Sequence, residues 1–187
     1  MNIPNLLTLF RIVAMIPIAI IIGQKIEPLY PLTLFILVLT YLSDAIDGTI
    51  ARFLKQDSLF GARFDIVGDR IHEISLWLIF SAAGIFPPIM GIIFIIRGFM
   101  TDAIREEAAL HYGQTPFGMI QNKIFKQLVS SRWSRALIGG LKLTTFTLAI
   151  FCLLLVRSRY YETIHFYTLL TGRLTVIFNL VRGLPVL

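Results

Sequence analysis

The chain has 187 residues, 56% of them hydrophobic and 15% charged, and a mean hydropathy of +0.78. That is too apolar for a soluble domain with an ordinary polar surface, so the composition points to a polytopic membrane protein. The net charge of +6 then reads as basic loops facing anionic headgroups rather than a nucleic-acid surface, and the single cysteine, Cys152, excludes an intrachain disulfide and a multi-cysteine metal centre.

Residues 1–11, MNIPNLLTLFR, begin the chain with an amphipathic helix that starts just after Pro4. Asn5, Thr8 and Arg11 share one face of it. Two readings stay open: an interfacial segment with Arg11 at the headgroups, or a face turned toward a functional site. Residues 12–23 are apolar and form a first span. They lack a basic leader and an A-x-A cleavage site, so the expectation is that they stay in place. A polar loop at 24–27 leads to a second span, 28–52, whose apolar part ends at Leu42. The link 53–59 is polar, with Asp57 solvated. A third span, 61–83, carries Asp65 and Asp69 on its first turns. The proline pair in 84–88 breaks the helix in a tight turn.

The fourth span, 89–112, changes character midway, where Arg97 is followed by Asp102, Arg105, Glu106 and Glu107. The longest polar loop, 113–135, holds Lys123, Lys126, Arg132 and Arg135. A fifth span, 136–156, has Lys142 near its start. After a short loop at 157–161, the sixth span, 162–181, carries Arg173 deep within it. The expected fold is thus all-α: one membrane domain over 1–187, with six transmembrane helices and an N-terminal interfacial amphipathic segment. Spans of about twenty residues suit a bilayer core roughly 30 Å thick. Arg11, Arg52, Lys55, Arg63, the 123–135 cluster and Arg182 gather at one set of helix ends, and Lys25, Arg157 and Arg159 at the other. The positive-inside rule places both termini and the aspartates on the cytoplasmic side.

The most informative stretch is 44–69, DAIDGTIARFLKQDSLFGARFDIVGD. Its aspartates fall into two pairs, Asp44/Asp47 and Asp65/Asp69, and spacings of three and four put each pair on one helix face. Two such helices meeting acid to acid would repel unless cations or protons neutralised them. All-oxygen ligands favour hard cations: Mg²⁺, Mn²⁺ or Ca²⁺. The bland alternative is that the first pair ends one membrane helix and the second opens the next. The histidines His72, His111 and His165 are isolated, and none is assigned to catalysis. Aromatics such as Trp77, Trp133, Tyr160 and Tyr161 read as core or interfacial belt.

Asp44, Asp47, Gly48, Ala51, Arg52, Gly61, Asp65 and Asp69 match every fixed position of D-x-x-D-G-x-x-A-R-x8-G-x3-D-x3-D. By this pattern the chain resembles the CDP-alcohol phosphatidyltransferases, in which a CDP-activated lipid gives its phosphatidyl group to an alcohol and CMP leaves. The resemblance implies that Asp44, Asp47 and Asp65 hold Mg²⁺ or Mn²⁺, as two ions. Asp69 completes the cluster and is the candidate general base for the acceptor hydroxyl. It implies that Gly48, Ala51 and Gly61 let backbone approach the CDP-lipid and that Arg52 contacts a nucleotide phosphate; the alternatives are close helix packing and a basic flank. It also implies a homodimer working among membrane lipids, on CDP-diacylglycerol and a small phosphorylated alcohol.

For the acceptor, Arg97, Arg105, Lys142 and Arg173 are the candidates, set against snorkelling or pairing with Asp102 or Glu106. Arg97, Arg105 and Glu106 resemble an R-E-x6-R-E segment of bacterial phosphatidylglycerophosphate synthases, and residues 1–11 resemble the NIPNxLTxxR pattern of several branches, chiefly glycerophosphate- and phosphatidylglycerol-using ones. Glycerol 3-phosphate is therefore the expected acceptor. Two alternatives stay open within the family. Asp69-Arg70 followed by Glu73 resembles the inositol-phosphate-using branch, and the long 113–135 loop resembles the cardiolipin-making branch. Outside the family, an Asp-lined cation transporter would need acids along a path through the membrane, and here all four lie toward one face. A purely structural membrane protein would not need the glycine and alanine positions inside the motif.

Overall fold

The computed structural model describes residues 3–54, 59–112 and 131–183. Among them are seven α-helices and one 3-10 turn. The helices are α1 (Ile3–Val13), α2 (Met15–Gly23), α3 (Tyr30–Leu54), α4 (Leu59–Ala82), α5 (Pro88–Tyr112), α6 (Arg132–Leu154) and α7 (Tyr161–Gly183), and the 3-10 turn is Glu27–Leu29. Local chemistry sets several ends. Gly84, at φ +77°, closes α4: its N–H donates to the Ser81 carbonyl at 3.0 Å and the Ile85 N–H to that of Phe80 at 3.0 Å. This satisfies carbonyls that the helix end would leave open. Pro88 opens α5, where its missing N–H costs nothing. The Ser131 hydroxyl caps α6 by accepting from the Ser134 N–H at 3.1 Å.

The helices assemble around an aromatic core. Trp77 of α4, 1% exposed, packs against Phe86 and Phe146 with ring centroids 5.0 and 5.2 Å away. Phe80, Phe94, Leu76 and Ile150 extend the cluster. Each large aromatic buried here removes on the order of 150–250 Å² from solvent or lipid, which makes this cluster the main anchor of the bundle. α1 lies against α3 and α4, α4 against α5, α6 against α3 and α7, and α7 against α5.

Four described stretches are long and apolar enough to cross a membrane: Ile3–Gly23, Glu27–Ile46, Trp133–Leu154 and Tyr161–Gly183. α4 and α5 match them in length but carry Asp65, Asp69, Arg70, Glu73, Arg97 and Asp102. The first stretch differs from expectation. Its apolar run starts at Ile3 and continues through a break at Ala14, and α1 packs against α3 and α4. Its polar residues Asn5, Thr8 and Arg11 are buried against the neighbouring helices instead of meeting headgroups. The reason is electrostatic: the acids of α3 and α4 offer Arg11 better partners than water does.

Gly68 makes the close seat of α1 on α4 possible. A Cβ there would collide with the Thr8 methyl group. Gly68→Ala would by itself favour the helix by about 1 kcal/mol, so a net fall in Tm reports the collision alone. We expect a loss of several degrees in detergent and its recovery when Thr8→Ser removes the methyl. A Gly68→Ala protein as stable as the parent would place the contact outside the stability of the fold.

Candidate metal and phosphate site

Three helices converge on the acids. Asp44 comes from the C-terminal half of α3, and Asp65 and Asp69 from consecutive turns of α4. One carboxylate oxygen from each lies within 4.8 Å of the other two. Arg11 reaches in from α1, only 1% exposed. Its Nη1 donates to Asp44 and, at 2.6 Å, to Asp69; its Nη2 donates to Asp65. One guanidinium neutralises a single carboxylate, so the cluster keeps a surplus of negative charge. Each carboxylate side chain remains more than two-fifths exposed. An all-oxygen donor set that is negative and accessible fits a hard divalent cation.

The other motif residues can be placed only by backbone. Asp47, Gly48, Ala51 and Arg52 lie on α3 beyond Asp44, and their side-chain surroundings fall outside the described residues, as does the link at 55–58 with Asp57. Gly61 is half-buried in the first turns of α4.

Beside the acids opens a cleft of about 260 Å³. Arg11 of α1, Tyr41 and Asp44 of α3, Asp69, His72 and Glu73 of α4, and Arg135 and Lys142 of α6 line it. Lys142 donates to Glu73 and stands 5.5 Å over the Phe94 ring. Glu73 also accepts from Arg70 at 2.9 Å, and Arg70 grips Asp102 with Nε at 2.5 Å and Nη2 at 3.0 Å. This chain of charges ties α6, α4 and α5 together behind the cleft. Asp102, weighed as a partner for the acceptor candidates, is bonded by Arg70, and Lys142 pairs with Glu73.

The four acceptor candidates separate. Lys142 lines the cleft. Arg97 is buried on α5, where its guanidinium stem packs against Gly183 of α7, away from the cleft lining. Arg173 is exposed on α7. The Arg105 side chain and residues 113–130, with Lys123 and Lys126, lie outside the described residues. Sequence reasoning passed over Tyr41, His72, Glu73 and Arg135 as site residues. The available signal was helical spacing: His72 and Glu73 follow Asp69 by three and four, and Tyr41 precedes Asp44 by three, so all share the faces that carry the acids.

The model of the CDP-alcohol phosphatidyltransferase family matches residues 1–179. A Cereibacter sphaeroides protein named CDP-diacylglycerol--glycerol-3-phosphate 3-phosphatidyltransferase is 37% identical over 90 residues, covering 46% of this chain and 40% of that protein. A protein of the same name from Wigglesworthia glossinidia brevipalpis is 38% identical over 111 residues, covering 57% and 59%. A Mycobacterium tuberculosis protein named "Putative cardiolipin synthase" is 33% identical over 87 residues, covering 46% and 41%. The matched stretches thus span from two-fifths to three-fifths of these relatives.

Proposed function

The chain belongs to the CDP-alcohol phosphatidyltransferase family, and from that premise we propose that it transfers a phosphatidyl group from CDP-diacylglycerol to glycerol 3-phosphate. The products are phosphatidylglycerophosphate and CMP. The observation that carries this reading is the convergence of Asp44, Asp65 and Asp69 beside a cleft that also holds Lys142 and Arg135. Two features of this chain's relatives support it: the shared family and two relatives named for this acceptor.

In the reaction the acceptor hydroxyl oxygen forms a bond to the lipid-side phosphorus of the pyrophosphate. The bond from that phosphorus to the CMP oxygen breaks, and the hydroxyl proton goes to Asp69. Asp44, Asp47, Asp65 and Asp69 would hold Mg²⁺ or Mn²⁺, as two ions. Bound there, the ions supply charge neutralisation at the pyrophosphate. Gly48, Ala51, Arg52 and Gly61 contact the CDP-lipid. Lys142 and Arg135, with Arg105, attract the phosphate of the acceptor. Arg97 braces α5 against α7, where its side chain lies beside Gly183. Arg11 holds the acids together and steadies α1.

The same reading takes the chain as one domain with six spans. α4 and α5 present Leu78, Ile92, Ile96 and Phe99 outward, as lipid-facing helices do. The outer apolar face of α1 lies at the interface, the site faces the cytoplasm, and the protein works as a homodimer. The match to a cardiolipin synthase name favours phosphatidylglycerol as the second choice of acceptor.

The deciding assay is CMP release by purified protein in detergent, with CDP-diacylglycerol, Mg²⁺ and one acceptor at a time, against EDTA controls. Metal-dependent release with glycerol 3-phosphate supports the proposal. Release only with another acceptor keeps the reaction and moves the branch. No release with glycerol 3-phosphate, an inositol phosphate, serine or phosphatidylglycerol, from folded protein that binds cation, returns the transporter reading.

Arg11 gives a test that does not need turnover. Arg11→Ala leaves the three acids facing each other, so its Tm in EDTA falls by several degrees, and Mn²⁺ raises it more than it raises the parent's. Equal Mn²⁺ shifts in the two proteins would show that Arg11 does not offset the charge of the cluster.

A further inference from the structure

Of the polar side chains lining the cleft, all but two are charged: Arg11, Asp44, Asp69, Glu73, Arg135 and Lys142. Tyr41 and His72 are the uncharged pair among the described residues. The charged groups already face one another or suit phosphates and cations, whereas Tyr41 and His72 can each give or take a hydrogen bond to an alcohol hydroxyl. Tyr41 stands one turn before Asp44 and His72 one turn after Asp69, so the pair adjoins the acids on both helices.

The two rings hold each other. They meet edge to face, with centroids 5.3 Å apart and planes at 76°. His72 is further fixed by Thr40, whose hydroxyl lies 3.0 Å from Nε2. That hydroxyl gives its only proton to the Leu37 carbonyl at 2.7 Å. It must therefore accept from the imidazole, so Nε2 carries the proton and the neutral ring keeps an acceptor lone pair on Nδ1. On the neighbouring ring, the Tyr41 hydroxyl is buried with no hydrogen-bond partner among the described residues. A buried hydroxyl left unpaired is costly, and in the wall of a cleft a ligand hydroxyl can complete its bonding.

We propose that Tyr41 and His72 form a neutral hydroxyl-reading pair that binds the non-reacting hydroxyl of a polyol phosphate acceptor. This rests on the acceptor reading given above and sharpens it. Lys142 and Arg135 select for a phosphate, Asp69 faces the hydroxyl that reacts, and the pair selects for a second hydroxyl on the neighbouring carbon. A secondary alcohol both donates and accepts, which matches a phenol hydroxyl and an imidazole lone pair. Both are specificity-determining residues, since the transferred group does not pass through them.

The experiment compares glycerol 3-phosphate with 3-hydroxypropyl phosphate, which has the same phosphate and terminal hydroxyl but lacks the middle one. Affinities are measured by calorimetry on the full chain in detergent with Mg²⁺ and CMP. The parent should bind glycerol 3-phosphate about tenfold more tightly, the worth of one buried hydrogen bond. Tyr41→Phe, which keeps the ring but loses the phenol hydrogen bond, should lose most of that preference. Equal binding by the parent, retention of the tenfold preference by Tyr41→Phe, or no binding of either compound overturns the proposal. CMP release with the same two acceptors is read separately. Transfer with no preference between them sinks the pair and leaves the transferase reading standing. A tenfold difference in binding without CMP release sinks the transferase reading and leaves the pair.

Discussion

On the proposed reaction, Asp69→Asn is expected to abolish phosphatidyl transfer, by at least about a thousandfold, in a protein that still folds and still binds CDP-lipid. Asparagine keeps the size of the side chain but can neither take a proton nor bring negative charge to a cation. General-base catalysis alone is worth about 10²–10⁴ in rate, and weakened cation binding adds to the loss. The fold should survive because Arg11 keeps its bonds to Asp44 and Asp65, so α1 stays on its seat. The readouts are CMP release at saturating acceptor, a Tm close to the parent's, and retained CDP-lipid binding. A variant with most of its activity would remove Asp69 from the mechanism.

Glu73→Ala has the largest expected effect on stability. The Glu73 carboxylate is the centre of the charge chain behind the cleft, with Lys142 on one side and Arg70 on the other. All three side chains are mostly buried, at 10%, 16% and 19% exposure. Deleting the acid leaves Lys142 with no carboxylate partner among the described residues and leaves Arg70 with Asp102 alone. Breaking a buried pair from one side costs about 3–5 kcal/mol, which for a chain of this size lowers Tm by roughly 10 °C. Glu73→Gln, which keeps hydrogen-bonding oxygen at the same place, should lose less. A Glu73→Ala protein with the parent's Tm would show that the network is solvated and carries no stability. Acceptor binding should weaken too, because Lys142 loses the contact that holds it at the cleft wall.

Some of this molecule was readable directly from the chain because the relevant physics is local. The apolar runs, the proline pair at 87–88 and Gly84 set helices and breaks with neighbours a few residues away. The aspartate spacings put Asp65 and Asp69 on one face of α4 whatever else the helix touches. The eight motif positions identified the family, which the match over residues 1–179 shows.

Other features depend on how helices rotate and meet, and periodicity leaves those free. In sequence, Arg11 suits a headgroup anchor as well as a site. Its bonds to residues 33, 54 and 58 positions away exist only because Gly68 lets α1 approach α4. Arg97 and Arg173 look alike as arginines within apolar helices, yet one is buried beside Gly183 and the other faces outward. His72 looks like a lone histidine until α3 brings Thr40 and Tyr41 to it. The acids, the shared face of Asp65 and Asp69, and the family follow from covalent spacing along the chain alone. Which basic side chain meets those acids, and which neutral groups share their cleft, depends on packing between helices distant in sequence, which selects the face that each one buries.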